Sequence, residues 1–74
     1  MEVRILYVRE SDPWISCEHL IEYFNLTNPT LQTIERIMFQ NALPLMENVG
    51  WRIVKVIEQE DLISVLFIKM IVDE

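Results

Sequence analysis

The segment Leu62-Ile63-Ser64-Val65-Leu66-Phe67-Ile68-Lys69-Met70-Ile71-Val72 carries only two polar side chains in eleven positions. Side chains in a strand alternate between faces. Leu62, Leu66, Ile68, Met70 and Val72 would therefore point one way, and Ile63, Val65, Phe67 and Ile71 the other. Both faces are apolar, and a strand apolar on both faces must be covered on both. A chain of 74 residues supplies one layer of helix but hardly two. The second cover is expected to be another molecule, which points to association and away from catalysis.

Upstream, residues 51–58 alternate as Trp51, Ile53 and Ile57 against Val54 and Val56, interrupted by Arg52 and Lys55. Glu58-Gln59-Glu60-Asp61 reads as the hairpin turn to the terminal strand, without an Asn-Gly or Asp-Gly signature. Residues 1–9 form a third candidate strand, with Val3, Ile5 and Tyr7 on one face and Arg4, Leu6 and Val8 on the other. Ser11-Asp12-Pro13 reads as a helix start, with a capping acceptor followed by proline. Trp14, Cys17, Leu20, Ile21 and Phe24 continue it as an amphipathic stripe to about Asn25, leaving Glu18, His19 and Glu22 on the wet side. A second start signal stands at Thr27-Asn28-Pro29-Thr30, followed at helical spacing by Leu31, Ile34, Met38, Ala42 and Leu45, with Ile37 beside them. Pro44 ends or kinks that helix near Leu43, or opens a short final one over residues 45–49. Gly50, the only glycine, stands where a left-handed C-cap is needed.

The expected architecture is α+β in a single domain of residues 1–74. It has a three-stranded antiparallel sheet and two or three helices between the first and second strands (β-α-α-β-β), packed on one sheet face. A domain this short buries about 60–65% of its unfolded surface and is expected to be stable by roughly 4–11 kcal/mol.

Twelve acidic residues against six basic give a net charge of −6. Such a chain is repelled by nucleic acid and anionic lipid, whose binding depends on phosphate neutralisation, and is drawn to basic proteins. The plainer role of the charge is solubility. One cysteine, Cys17, closes no intrachain disulfide, which favours a reducing compartment. No signal-peptide pattern is visible, because Glu2 and Arg4 interrupt the first apolar residues. Residues 62–72 are too few to span a membrane, which takes about 20. A cytoplasmic protein without membrane contact is expected.

Catalytic chemistry finds little to work with. Cys17 and His19 are the only nucleophile–base candidates, and positions two apart on a helix diverge by about 200°. Cys17 reads as a small buried hydrophobe and His19 as a surface residue. One Cys and one His do not approach a zinc set, and a single glycine makes no phosphate loop. Glu58, Glu60 and Asp61 lack the calcium-loop pattern. No enzyme activity, cofactor or metal is expected. Trp51 reads as core, whereas Trp14, beside Glu10, Asp12 and Glu18, reads equally as core or as contact residue. Five of the six basic residues (Arg4, Arg9, Arg52, Lys55, Lys69) fall in predicted strands and Arg36 in a predicted helix. Strand cations also blunt edges against aggregation.

From Leu45 to the Lys69 region, with Gly50-Trp51 at its heart, the chain resembles short bacterial and phage proteins of unassigned function, in which a helix ends in Gly-Trp and a hairpin comes next. The resemblance implies a geometry, with glycine ending the helix and tryptophan wedged between helix and sheet. It implies no activity. The Trp14 segment departs from the pattern.

Two functional classes are consistent with these features. The first is a binding inhibitor that occludes a basic nucleic-acid-handling enzyme or complex. Phage-encoded inhibitors such as anti-CRISPR proteins are similar in size and charge, though not in motif. Its contact residues would be Glu10, Asp12, Trp14, Glu18, Glu22, Glu58, Glu60 and Asp61. The alternative is a homodimeric structural or adaptor protein that associates through an apolar sheet face containing Val54, Val56, Ile63, Val65 and Phe67.

Overall fold

The computed structural model describes residues 1–70. Ile71 and Val72, assigned by alternation to the terminal strand, and Asp73-Glu74 lie outside the described residues. The protein is α+β, built around a three-stranded antiparallel sheet of β1 (Glu2–Arg9), β4 (Trp51–Gln59) and β5 (Leu62–Lys69) in the order β1-β5-β4. The doubly apolar segment takes the centre, where a strand loses most of its surface to neighbours. Between β1 and β4 lie β2 (Trp14–Ser16), α1 (Cys17–Phe24), a 3-10 turn (Pro29–Gln32), β3 (Arg36–Met38) and α2 (Phe39–Asn48).

Register decides which face is the core. Leu6 pairs with Val65, Val8 with Ile63 and Arg4 with Phe67. Leu6, Val8, Val65 and Phe67 are all buried, in one cluster with Cys17, Leu20 and Phe24 of α1 and Ala42 and Met46 of α2. The intervening pairs, Val3 with Ile68 and Ile5 with Leu66, belong to the opposite face.

The middle of the chain departs from the expected order. Ser11-Asp12-Pro13 makes a turn, in which the Asp12 N–H donates to the Arg9 carbonyl at 3.1 Å. The cap that starts α1 is Ser16, whose hydroxyl accepts from the His19 N–H. Trp14-Ile15-Ser16 is drawn out of the predicted helix because it pairs antiparallel with Arg36-Ile37-Met38, which sets Ile15 against Ile37. That pairing also breaks the predicted second helix. Asn28 does cap a helical start, accepting from the Thr30 N–H at 2.9 Å, but the run it opens extends no further than the 3-10 turn. Leu31 is buried and Ile34 exposed, so their spacing does not mark one helical face. Arg36 lies in a strand, not in a helix. α2 then runs through Pro44 without ending or restarting there. Tertiary pairing has overridden local propensity twice, and the order is β-β-α-β-α-β-β.

At the far end of α2, Gly50 has φ +100°, a region that side chains avoid, and its N–H donates to the Glu47 carbonyl at 3.0 Å. The chain thereby turns into β4 with Trp51 directed into the core. The hairpin tip is narrower than expected: β4 pairs with β5 out to Gln59 opposite Leu62, leaving Glu60-Asp61 as the loop, with Glu60 at φ 56°. A bulge between Ile53 and Lys55 inserts Val54 into β4. Beyond it, Val56 pairs with Val65 and so lies on the helix side, whereas Lys55 and Ile57, opposite Leu66 and Ser64, lie on the other. Strict alternation had placed Ile57 with Trp51 and Ile53. The inserted residue moves it across the sheet.

Candidate binding surfaces

Trp51 joins the layers. It is 1% exposed, its indole N–H donates to the Phe24 carbonyl at 2.9 Å, and its ring meets Phe24 edge-on at 5.2 Å. Phe24 meets Phe67 in the same edge-on manner, which carries the contact across to the central strand. The Arg4 guanidinium lies 5.7 Å from the Trp51 ring and 5.6 Å from that of Tyr23, and its Nε donates to the Tyr23 carbonyl. Lys69 also lies over Trp51. Arg4 was read from the sequence as one of the strand cations that blunt edges, and Tyr23, which the sequence reading did not name, joins it in finishing one sheet edge. The Tyr23 hydroxyl accepts from the Ile5 N–H at 3.1 Å, and Arg4 donates to the Val3 carbonyl. Two backbone groups on the outer side of β1, the Ile5 N–H and the Val3 carbonyl, are thus met by side chains.

The opposite face of the sheet is uncovered. Val3, Ile5, Tyr7, Ile57 and Leu62 are exposed, Tyr7 at 62%, and Leu66 and Ile68 are half-buried between them. Ile5, Tyr7, Lys55, Ile57, Ser64 and Leu66 line a shallow depression there. The expected contact face was therefore partly the wrong one. Val65 and Phe67 are 1% exposed beneath the helices, and Ile63 packs half-buried against the same core. Val54 and Val56, each 49% exposed, remain accessible on the edge strand β4. A weak signal had been available: Ser64, one of the two polar residues of the terminal strand, belongs to the uncovered face.

The predicted acidic contact residues separate into two groups. At the hairpin tip, Asp61 accepts from the Ser11 N–H at 2.8 Å and from its hydroxyl at 2.5 Å, and the Arg9 guanidinium lies 3.7 Å away. The two Ser11 hydrogen bonds, helped by Arg9, hold the Asp61 carboxyl below the usual carboxylate range. The Glu10 N–H donates to the Asp61 carbonyl, which ties the tip to the turn after β1. Asp12 is paired with Arg36 at 3.3 Å. Asp12 and Asp61 are thus already engaged within the chain, while Glu58 and Glu60 are exposed beside them in sequence. The other group is on α1: Glu18 and Glu22, joined by Glu35, border a groove floored by Ile21, Leu31 and Ile34. Glu35 was not foreseen, because it reaches that groove through the 3-10 turn. Trp14, 48% exposed, borders a separate cleft with Ile5, Tyr7, His19 and Tyr23.

Cys17 is buried, and burial pushes its thiol up from the ordinary value. His19 stacks on Tyr23, the ring centroids 5.3 Å apart. Among the described residues there is no cluster of three or more His, Cys, Asp or Glu disposed to hold a metal ion. No helix among them is long and apolar enough to cross a membrane.

Comparison with known protein families, characterised proteins and solved structures finds no match. The functional reading rests on the surfaces themselves.

Proposed function

We propose that this chain is a non-catalytic protein-binding module whose contact is the uncovered face of its sheet. The observation that carries the proposal is the row Val3, Ile5, Tyr7, Leu66 and Ile68, an apolar surface over which no element of the described chain is laid. Contiguous exposed apolar surface of several hundred Å² is characteristic of interaction sites. Arg52 and Lys55 flank it on β4 and give it a charged rim.

The identity of the partner is favoured by a second observation. Glu18, Glu22 and Glu35 converge around an apolar groove, and none is in an ion pair among the described residues. Together with the net charge of −6, this supports a basic partner. Occlusion of a nucleic-acid-handling protein, the action of phage-encoded inhibitors such as anti-CRISPR proteins, is the use we infer, in the cytoplasm of the host. The alternative, a homo-oligomeric adaptor joined through its sheet, rests on the same apolar face.

Affinity capture from cell lysate with three baits tests the proposal: wild type, Ile5→Lys/Leu66→Lys, and Glu18→Lys/Glu22→Lys. The wild type is expected to retain a protein that the sheet-face variant loses, and the acidic variant to bind it more weakly and with less salt sensitivity. Equal retention by wild type and the sheet-face variant refutes the proposed contact.

A further inference from the structure

Charge is segregated between the two faces of the sheet. By register β4 adds Arg52 beside Ile68, Lys55 beside Leu66 and Ile57 beside Ser64 to the uncovered face. The acidic residues of the three strands, Glu2 and Glu58, pair with Lys69 and Ile63 and so belong to the helix side. Arg9, beside Leu62, is the third cation of the uncovered face, and Asp61 meets it from the hairpin tip. Arg52 and Lys55 are exposed, and neither is in an ion pair among the described residues. In a chain of net charge −6, this face is apolar with two unanswered cations along one side.

The geometry points to an acidic amphipathic helix of another protein as the occupant of this face, an inference that rests on the reading of the face as the contact. Charge argues against a second copy laid face to face. In an isologous contact a patch meets itself, so the copy would add two more unanswered cations and no strand carboxylate to a surface losing its water. An occupant that brings carboxylates answers Arg52 and Lys55 instead. The dimensions fit one helix. Neighbouring strands lie about 4.8 Å apart, so the outer two of three are about 10 Å apart, the width of a single helix with its side chains. The spacing of the cations fits as well. Their partners on β5, Ile68 and Leu66, are two residues apart, which sets Arg52 and Lys55 about 7 Å from each other. Acidic residues at i and i+4 on one flank of a helix are about 6 Å apart. The apolar stripe of such a helix would lie on Ile5, Leu66 and Ile68 and cover the second face of β5, as α1 and α2 cover the first. The acidic groove beside α1 is a separate surface in the helix layer. What lies on the sheet is selected by the charge of that segment, not by the net charge of the protein that carries it.

The test is a selection from phage-displayed helical peptides of about 18 residues, with leucines fixed at i, i+3, i+4 and i+7 and the flanking positions randomised. Against the wild type, Asp or Glu is expected to be enriched at two positions one turn apart on one flank. By fluorescence anisotropy, Arg52→Glu/Lys55→Glu should bind a selected peptide roughly tenfold more weakly than the wild type. The same peptide with its two acids changed to lysine should prefer that variant to the wild type. Both substituted residues are exposed, and circular dichroism checks that the variant keeps the fold. Ile5→Lys/Leu66→Lys separates the two levels of the argument. Selected peptides that bind this variant as tightly as the wild type show that the face is not the contact, which removes the underlying reading. Peptides that need the face but carry no acidic preference, or are unaffected by reversal of Arg52 and Lys55, overturn the acidic helix alone. Failure to enrich any peptide overturns the helix. A wild-type dimer in sedimentation equilibrium that Ile5→Lys/Leu66→Lys dissociates also overturns it, because the face would then be covered by its own copy.

Discussion

Replacing Trp51 by Phe removes the group that ties the end of α1 to the sheet, and the cost can be worked out from its surroundings. The indole N–H donates to the Phe24 carbonyl at 2.9 Å in a buried site. Losing that donor leaves the carbonyl without its side-chain partner, at about 1–3 kcal/mol. The smaller ring forfeits buried apolar area and leaves a partial void beside Phe24 and Phe67, at about 1–2 kcal/mol more. The sum is about 3 kcal/mol, a large share of the roughly 4–11 kcal/mol expected for a domain of this length. For such a domain each kcal/mol moves Tm by about 4–8 °C, so Trp51→Phe should lower it by about 12–24 °C. Far-UV circular dichroism during thermal unfolding measures the shift. The variant retains a single tryptophan, Trp14, which is half exposed, so its native emission should lie to the red of the wild type's. A Tm within about 4 °C of wild type would refute the reasoning, since the carbonyl would then have to find water or another donor at almost no cost.

Asn25 ends α1 at φ 54° with its N–H on the Ile21 carbonyl, so Asn25→Ala should cost about 1 kcal/mol and Asn25→Gly close to nothing in urea unfolding. Equal costs for the two would show that the left-handed backbone is not what matters there. For Asp61 the folded carboxyl titrates below its ordinary value of 3.8, chiefly through Ser11. Its contribution to stability is therefore fully present above that value and is lost as pH falls through the lower, folded one. Asp61→Asn should flatten the acid limb of a Tm–pH profile below about pH 4, and an unchanged limb would assign the acid sensitivity to other groups.

Several features were legible because they are local. The alternation of 1–9 and 51–58 is a period-2 signal, and the continuous apolar run from Leu62 marks a strand apolar on both faces; together they yield the three antiparallel strands. Gly50 ends α2 because few other residues tolerate φ +100°, and that alone aims Trp51 inward. Cys17, Leu20 and Phe24 were placed on the inner stripe of α1 by spacing, and all three are buried. The start of α1 was misplaced because Ser11-Asp12-Pro13 and Ser16 carry equally good capping chemistry, and nothing within a few residues of either distinguishes them.

The pairing of Ile15 with Ile37, two residues far apart in sequence, is what chose Ser16. That contact exists only once the chain has folded back. It competes with capping and propensity terms of about 1 kcal/mol or less per residue, and it outweighs them. The bulge at Val54 is of the same kind: one inserted residue is invisible in an alternating sequence, yet it moves Ile57 to the uncovered face. That the central strand is apolar on both sides is a property of composition and period, and so can be read directly from residues 62–69. Which side the helices take and which is left open emerges only on folding, because two apolar faces offer no choice between them and the docking of a layer depends on where the connections emerge.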